Sequence, residues 1–142
     1  MVTEGAGALR TTGFGMGVRV DLPFEDAVQR TRAALAGQGF GVLTEIDVAA
    51  TLQAKLGVAV PAQLILGACN PALAHRGLQI EPDLGLLLPC NVVVRALPGG
   101  GTLVSTLEPA VMVGVTGQAA LQPMAAEARD RLRAALDEVA RT

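Results

Sequence analysis

A chain of 142 residues has the length of one ordinary domain, enough to bury about two-thirds of the surface its unfolded form exposes. Hydrophobic residues make up 51% of it but aromatics only 2%, and the formal net charge is -2; without stacking rings or a cationic field, nucleic acid is excluded as a partner. Two cysteines, Cys69 and Cys90, are too few for the disulfide framework that staples small secreted domains, so reduced thiols are expected.

Residues 1–12 lack the basic start and continuous apolar run of a secretory signal, which points to the cytoplasm. They are set apart as an N-terminal segment, flexible or ordered, leaving 13–142 as a single α+β domain with one aliphatic core. The first strand is expected within Gly13 to Leu22, where Val18 and Val20 alternate with Arg19 and Asp21 at the strand period of two. Pro23 suits a helix start. Phe24, Val28, Thr31 and Leu35 then recur at helical spacing, with Glu25 and Asp26 at the positive end of the helix dipole, and Gly37 and Gly39 end the helix.

Gly41 to Asp47 reads as a second strand, with Val42, Thr44 and Ile46 on one face and Leu43, Glu45 and Asp47 on the other. Asp47 then caps a short helix carrying Val48, Leu52 and Leu56 at intervals of four, and Gly57 stops it. Gln63 to Cys69, apolar after its first residue, is expected in mid-sheet; the run suits a central strand covered on both faces, and an antiparallel setting stays open. Asn70 and Pro71 form an N-cap and a first-position proline for a helix to about Leu78. Asn91 to Leu97 and Thr102 to Leu107 form two strands joined as a hairpin by Pro98 to Gly101. A last helix starts near Pro123, with an apolar stripe of Met124, Ala128, Leu132, Ala135, Leu136 and Val139 and an i,i+4 pair of Glu127 with Arg131.

Strands grouped around a hairpin without regular βαβ alternation predict a mostly antiparallel sheet of about five strands, with helices packed on one face. Three long uncharged stretches, 56–74, 84–94 and 109–126, are broken by residues such as Pro61, Asn70, Pro89 and Gln122. They read as buried strands and helices, so no membrane association is expected.

The motif Ala68-Cys69-Asn70-Pro71-Ala72-Leu73-Ala74, followed by Gly85-Leu86-Leu87-Leu88-Pro89-Cys90-Asn91-Val92-Val93-Val94, closely resembles the domain-of-unknown-function family numbered 302. Ile46-Asp47, Lys55-Leu56-Gly57, Glu108-Pro109 and Met112 stand in the expected order around it, and the likeness extends from about Gly13 to Met112. The resemblance implies a TATA-binding-protein-like arrangement: a curved antiparallel sheet with two longer helices, in the order strand, helix, four strands, helix. It also implies a homodimer, and no established activity. Another branch of the family has a His after the Ile-Asp pair and a Gly before Asn-Pro; here those positions are Val48 and Cys69, so that His has no counterpart.

The chemistry-bearing candidates are few. Cys69 and Cys90, each at a strand end, form a potential thiol pair; with His75 and Met112 they make a soft ligand set suited to copper(I) or zinc. Their plainer reading is as small buried hydrophobes. His75 is the only histidine, and a surface or capping role suits it as well as acid–base work. Glu81 and Asp83 are close enough in sequence for paired carboxylates, though loop acids are usually just solvated. No glycine run has the strand-to-helix setting of a phosphate loop.

These features predict a non-enzymatic, homodimeric domain holding a small ligand between sheet and helices, near Cys69, Asn70, Pro71 and Cys90. A thiol-dependent metal or redox protein using Cys69 and Cys90 is the alternative, and a purely structural interaction module the third.

Overall fold

The computed structural model describes residues 7–141. Its elements are β1 (Leu9–Thr11), β2 (Gly15–Val20), α1 (Phe24–Gly37), β3 (Gly41–Asp47), α2 (Val48–Leu56), β4 (Gln63–Cys69), α3 (Pro71–Ile80), β5 (Cys90–Ala96), β6 (Thr102–Leu107), α4 (Ala110–Thr116) and α5 (Gln122–Ala140), with a 3-10 segment at Pro82–Leu87 and a short one at Ala119–Leu121. The strands form one curved antiparallel sheet in the order β1-β2-β6-β5-β4-β3. The chain is therefore α+β, as its grouped strands predict.

Alternation decides which side of the sheet is covered. Met16, Val18 and Val20 of β2, Leu64, Leu66 and Ala68 of β4, and Cys90, Val92 and Val94 of β5 all point toward α1 and α5 and are buried. The longer helices answer with matching stripes: Ala27, Val28, Ala34 and Leu35 on α1, and Leu132, Ala135, Leu136 and Val139 on α5. Thr31 joins this interface by donating its hydroxyl to the Ala27 carbonyl, 2.7 Å away, which satisfies an otherwise costly buried donor. A second buried cluster, with Leu73, Leu84, Met112, Leu121, Met124 and Ala128, gathers α3, the 3-10 segment and α4 against the first half of α5. The single core expected from composition is thus two adjoining clusters.

Helix ends follow local chemistry. The Asp47 carboxylate accepts from the Ala50 N–H at 2.9 Å, and Gly57 ends α2 at φ 66°. Asn70 accepts from the Leu73 N–H at 3.2 Å, with Pro71 opening α3. Both arrangements match the capping signals.

Several expectations are corrected. The sheet has six strands against about five expected, the added one being edge strand β1, with Leu9 opposite Val18 and Thr11 opposite Met16; within the 1–12 segment, residues 1–6 lie outside the described residues. In β3 the register shifts between Val42 and Thr44, so Val42 pairs with Ala68 while Thr44 pairs with Gly67 and Ile46 with Ile65. One extra residue at Leu43 breaks the period of two, separating Val42 from the face it was expected to share with Thr44 and Ile46. The apolar stripe of α2 buries no residue, and Leu56 is 69% exposed. Strand β4 lies inside the sheet, with Leu64, Leu66 and Ala68 in the core shared with α1 and α5. The helix α4 went unread in a stretch with no polar face to mark a period.

Candidate functional site

The thiol pair lies where β4 ends and β5 begins: Ala68 is registered opposite Cys90, which makes Cys69 and Cys90 diagonal neighbours. Cys69, Asn70, Cys90 and Met112 line one small cavity together with Met124 and Leu73, and its volume is about 20 Å³. That is room for about one water. Asn70 is engaged in capping α3, Pro71 is exposed and outside the cavity lining, and His75 is exposed on α3, also outside it. The structure thus brings Cys69, Cys90 and Met112 together and leaves His75 apart. Among the described residues no three His, Cys, Asp or Glu side chains converge as a metal site.

Both cysteines are free thiols, with Cys90 buried and Cys69 half-buried. Burial first, and the charge of Cys69 second, push the Cys90 thiol up from 9.0 to about 11. Cys90 is therefore protonated at neutral pH and a poor nucleophile, since the thiolate is the reactive form. Glu81 and Asp83 do not form an acid–base pair either. Glu81 accepts from the Asp83 backbone N–H at 2.9 Å, and Gln118 donates to its other oxygen at 3.4 Å, so it serves as a cap for the 3-10 segment.

A sizeable concavity lies on the sheet face opposite α1 and α5. Gly15 and Gly17 of β2, Asn91, Val93 and Arg95 of β5, and Leu103 and Ser105 of β6 form its floor. Phe14 with β1 on one side, and Leu86 to Pro89 on the other, rise above this floor to enclose about 850 Å³. Glycine is needed for part of that floor: a Cβ on Gly17 would lie 2.6 Å from Ser105 Oγ and 2.9 Å from the Val104 carbonyl oxygen. Phe14 and Leu86 are 70% and 87% exposed, a costly state for large apolar side chains in water.

The groove's described lining is mostly apolar, and it contains no His, Cys, Lys, Asp or Glu. Its charged side chains are Arg10 and Arg95, and Ser105 has no histidine base beside it. The chemistry available is binding by apolar contact, amide and hydroxyl hydrogen bonds and guanidinium charge, with no general base and no activated nucleophile. This groove is what the sequence reading missed. Two signals point to it: the alternation Gly13-Phe14-Gly15-Met16-Gly17, which strips side chains from one face of a strand, and Arg95 amid the apolar run of β5.

Comparison with known proteins bears on lineage more than on chemistry. The family described as domain of unknown function DUF302 matches residues 16–139. The crystal structure of an uncharacterized conserved protein DUF302 from Bacillus stearothermophilus is similar, with 34% sequence identity and a TM-score of 0.83 over 89% of this chain and 98% of that one. No curated protein matches the sequence.

Proposed function

The chain belongs to the DUF302 domain family, and from that premise we propose that it is a non-enzymatic binding domain whose site is the groove on the sheet face opposite α1 and α5. One observation carries this reading: an apolar, glycine-floored concavity of about 850 Å³, within the range of small-molecule sites, whose described lining lacks the groups needed for acid–base or nucleophilic chemistry. The ligand lies on the far side of the sheet from the position first expected at Cys69, Asn70 and Cys90. A thermal-shift screen against metabolites and lipids tests it, because a ligand held by the native state raises stability by mass action. Val93→Trp, which fills the groove from its floor, is expected to abolish any shift. Shifts that survive this substitution, or a screen with none, would overturn the proposal.

The domain works as a homodimer in this reading. Support comes from apolar surface near the free edge of the sheet: Leu43 and Ile46 on β3, Leu56 on α2, and Val58 and Val60 after it are each at least 39% exposed. An unprotected edge strand with apolar flanks is a surface that proteins usually cover. Light scattering should give twice the chain mass, and Leu43→Glu with Ile46→Glu should give the monomer. A wild-type monomer at high concentration would sink this part. A dimer that takes up no ligand would favour a pure interaction module.

A second reading, thiol-dependent metal or redox chemistry, is favoured by the shared cavity of Cys69, Cys90, Met112 and Met124, a soft donor set suited to copper(I). Copper(I) titration under reducing conditions tests it, and equal uptake by a Cys69→Ala, Cys90→Ala protein would remove it. Free thiols fit a cytoplasmic setting. Among the described residues no helix is long and apolar enough to cross a membrane.

A further inference from the structure

Resting on the groove reading above, we propose that the ligand is a small amphipathic carboxylate, an organic acid whose apolar body lies along the groove floor and whose carboxylate pairs with Arg95. Six arginines of the described chain are half-buried. Five of them have partners: Arg19 with Asp21, Arg32 with Glu45, Arg129 with Glu108, Arg131 with Glu127 and the Gln38 carbonyl, and Arg30 with the Arg141 carbonyl. The Arg95 guanidinium alone makes no hydrogen bond or ion pair with any described residue. A guanidinium partly withdrawn from water without a counterion loses hydration and gains nothing in return, and acids are not scarce in a chain with 13 of them against 11 bases.

The register explains why the charge stays unmet. Arg95 lies opposite Gln63 on β4 and Leu103 on β6, so neither neighbouring strand offers a carboxylate. The groove's described lining contains two arginines and no acid, a positive site on a protein of net charge -2. Arg10 already has an interaction partner, which leaves one guanidinium to be matched. One fork of N–H donors and one unmet charge suit a carboxylate held bidentately, rather than a dianionic phosphate. Val93, Leu103 and Leu107 supply the apolar floor beside it.

Isothermal titration with decanoate and with decan-1-ol, probes of equal chain length that differ in head group, tests the inference. For the wild-type protein decanoate should bind about tenfold more tightly, as a hydrogen bond to a charged group predicts, and added salt should narrow the gap. Arg95→Gln should bring decanoate down to the level of decan-1-ol and leave decan-1-ol unchanged, while Arg95→Lys should keep part of the preference; circular dichroism melts check that both variants fold. Equal binding of the two probes by the wild type, or an undiminished preference in Arg95→Gln, overturns the carboxylate while the groove reading stands. Failure of both probes to bind overturns the carboxylate, and if the metabolite and lipid screen also gives no thermal shift the groove reading falls with it.

Discussion

Arg129 Nε on α5 donates to Glu108 Oε1 at 2.6 Å, with the two side chains 34% and 19% exposed. The other Glu108 oxygen accepts from the Ala110 N–H at 3.3 Å, so one carboxylate ties the last helix to the junction of β6 and α4. Charge-assisted bonds of this kind exceed the surface norm, and partial exposure discounts them. Glu108→Gln and Arg129→Met should each lower stability by about 1–2 kcal/mol, and the double variant by less than the sum. Urea midpoints measure this, and strict additivity would mean that the pair is not coupled.

Gly67 carries a steric prediction. A Cβ there would sit 2.2 Å from Thr44 Oγ1 and 2.9 Å from Pro89 Cγ, because the irregularity at Leu43 brings Thr44 directly over it. Gly67→Ala should therefore cost about 1–3 kcal/mol through overpacking. Adding Thr44→Ala should restore part of the loss, as read by denaturant midpoints. A Gly67→Ala protein as stable as wild type would contradict the register of β3 on β4.

Stability at alkaline pH should report Cys90. Its thiol, raised from 9.0 to about 11 when folded, keeps its proton over an interval in which the unfolded chain has released it. The unfolded state then binds fewer protons, so stability falls as pH rises. The contribution is fully present below about pH 9 and is lost toward pH 11, at a total of about 2–3 kcal/mol. With no Tyr and a single Lys, few other groups titrate in that window. Melting temperatures from pH 8 to 11 should fall steeply in the wild type and flatten in Cys90→Ala.

Asn70 separates capping from ligand binding. Its side chain accepts from the Leu73 N–H, so Asn70→Ala should cost about 1 kcal/mol while Asn70→Asp is nearly neutral. Neither should alter binding in the groove, which lies on the other side of the sheet. A binding defect in Asn70→Asp with unchanged stability would return the site to the thiol region.

The sequence was most legible where short-range chemistry acts alone. Asp47 and Asn70 announce their helices because a cap needs only the next few N–H groups, and Gly57 announces an end because its φ of 66° suits glycine. The stripe of Met124, Ala128, Leu132 and Val139 on α5 is legible because a helix buries one face at a fixed period. Strand β1 was not, since a three-residue edge strand exists only by virtue of its partner β2. Nor was the face assignment in β3, where one extra residue at Leu43 answers to the pairing with β4.

The candidate site divides in the same way. From the sequence by itself follow the α+β class, the aliphatic core, the helix caps and the two thiols at strand ends, each governed by residues close in the chain. Tertiary structure alone decided that the thiols enclose room for about one water, that His75 stands apart from them, and that Gly17, Arg95 and Leu86 share one groove. A concavity is the space left between β1, β2, β5, β6 and the 3-10 segment, and the unmet charge at Arg95 follows from the absence of an acid on either neighbouring strand, β4 or β6. Both depend on long-range pairing, which no local pattern encodes.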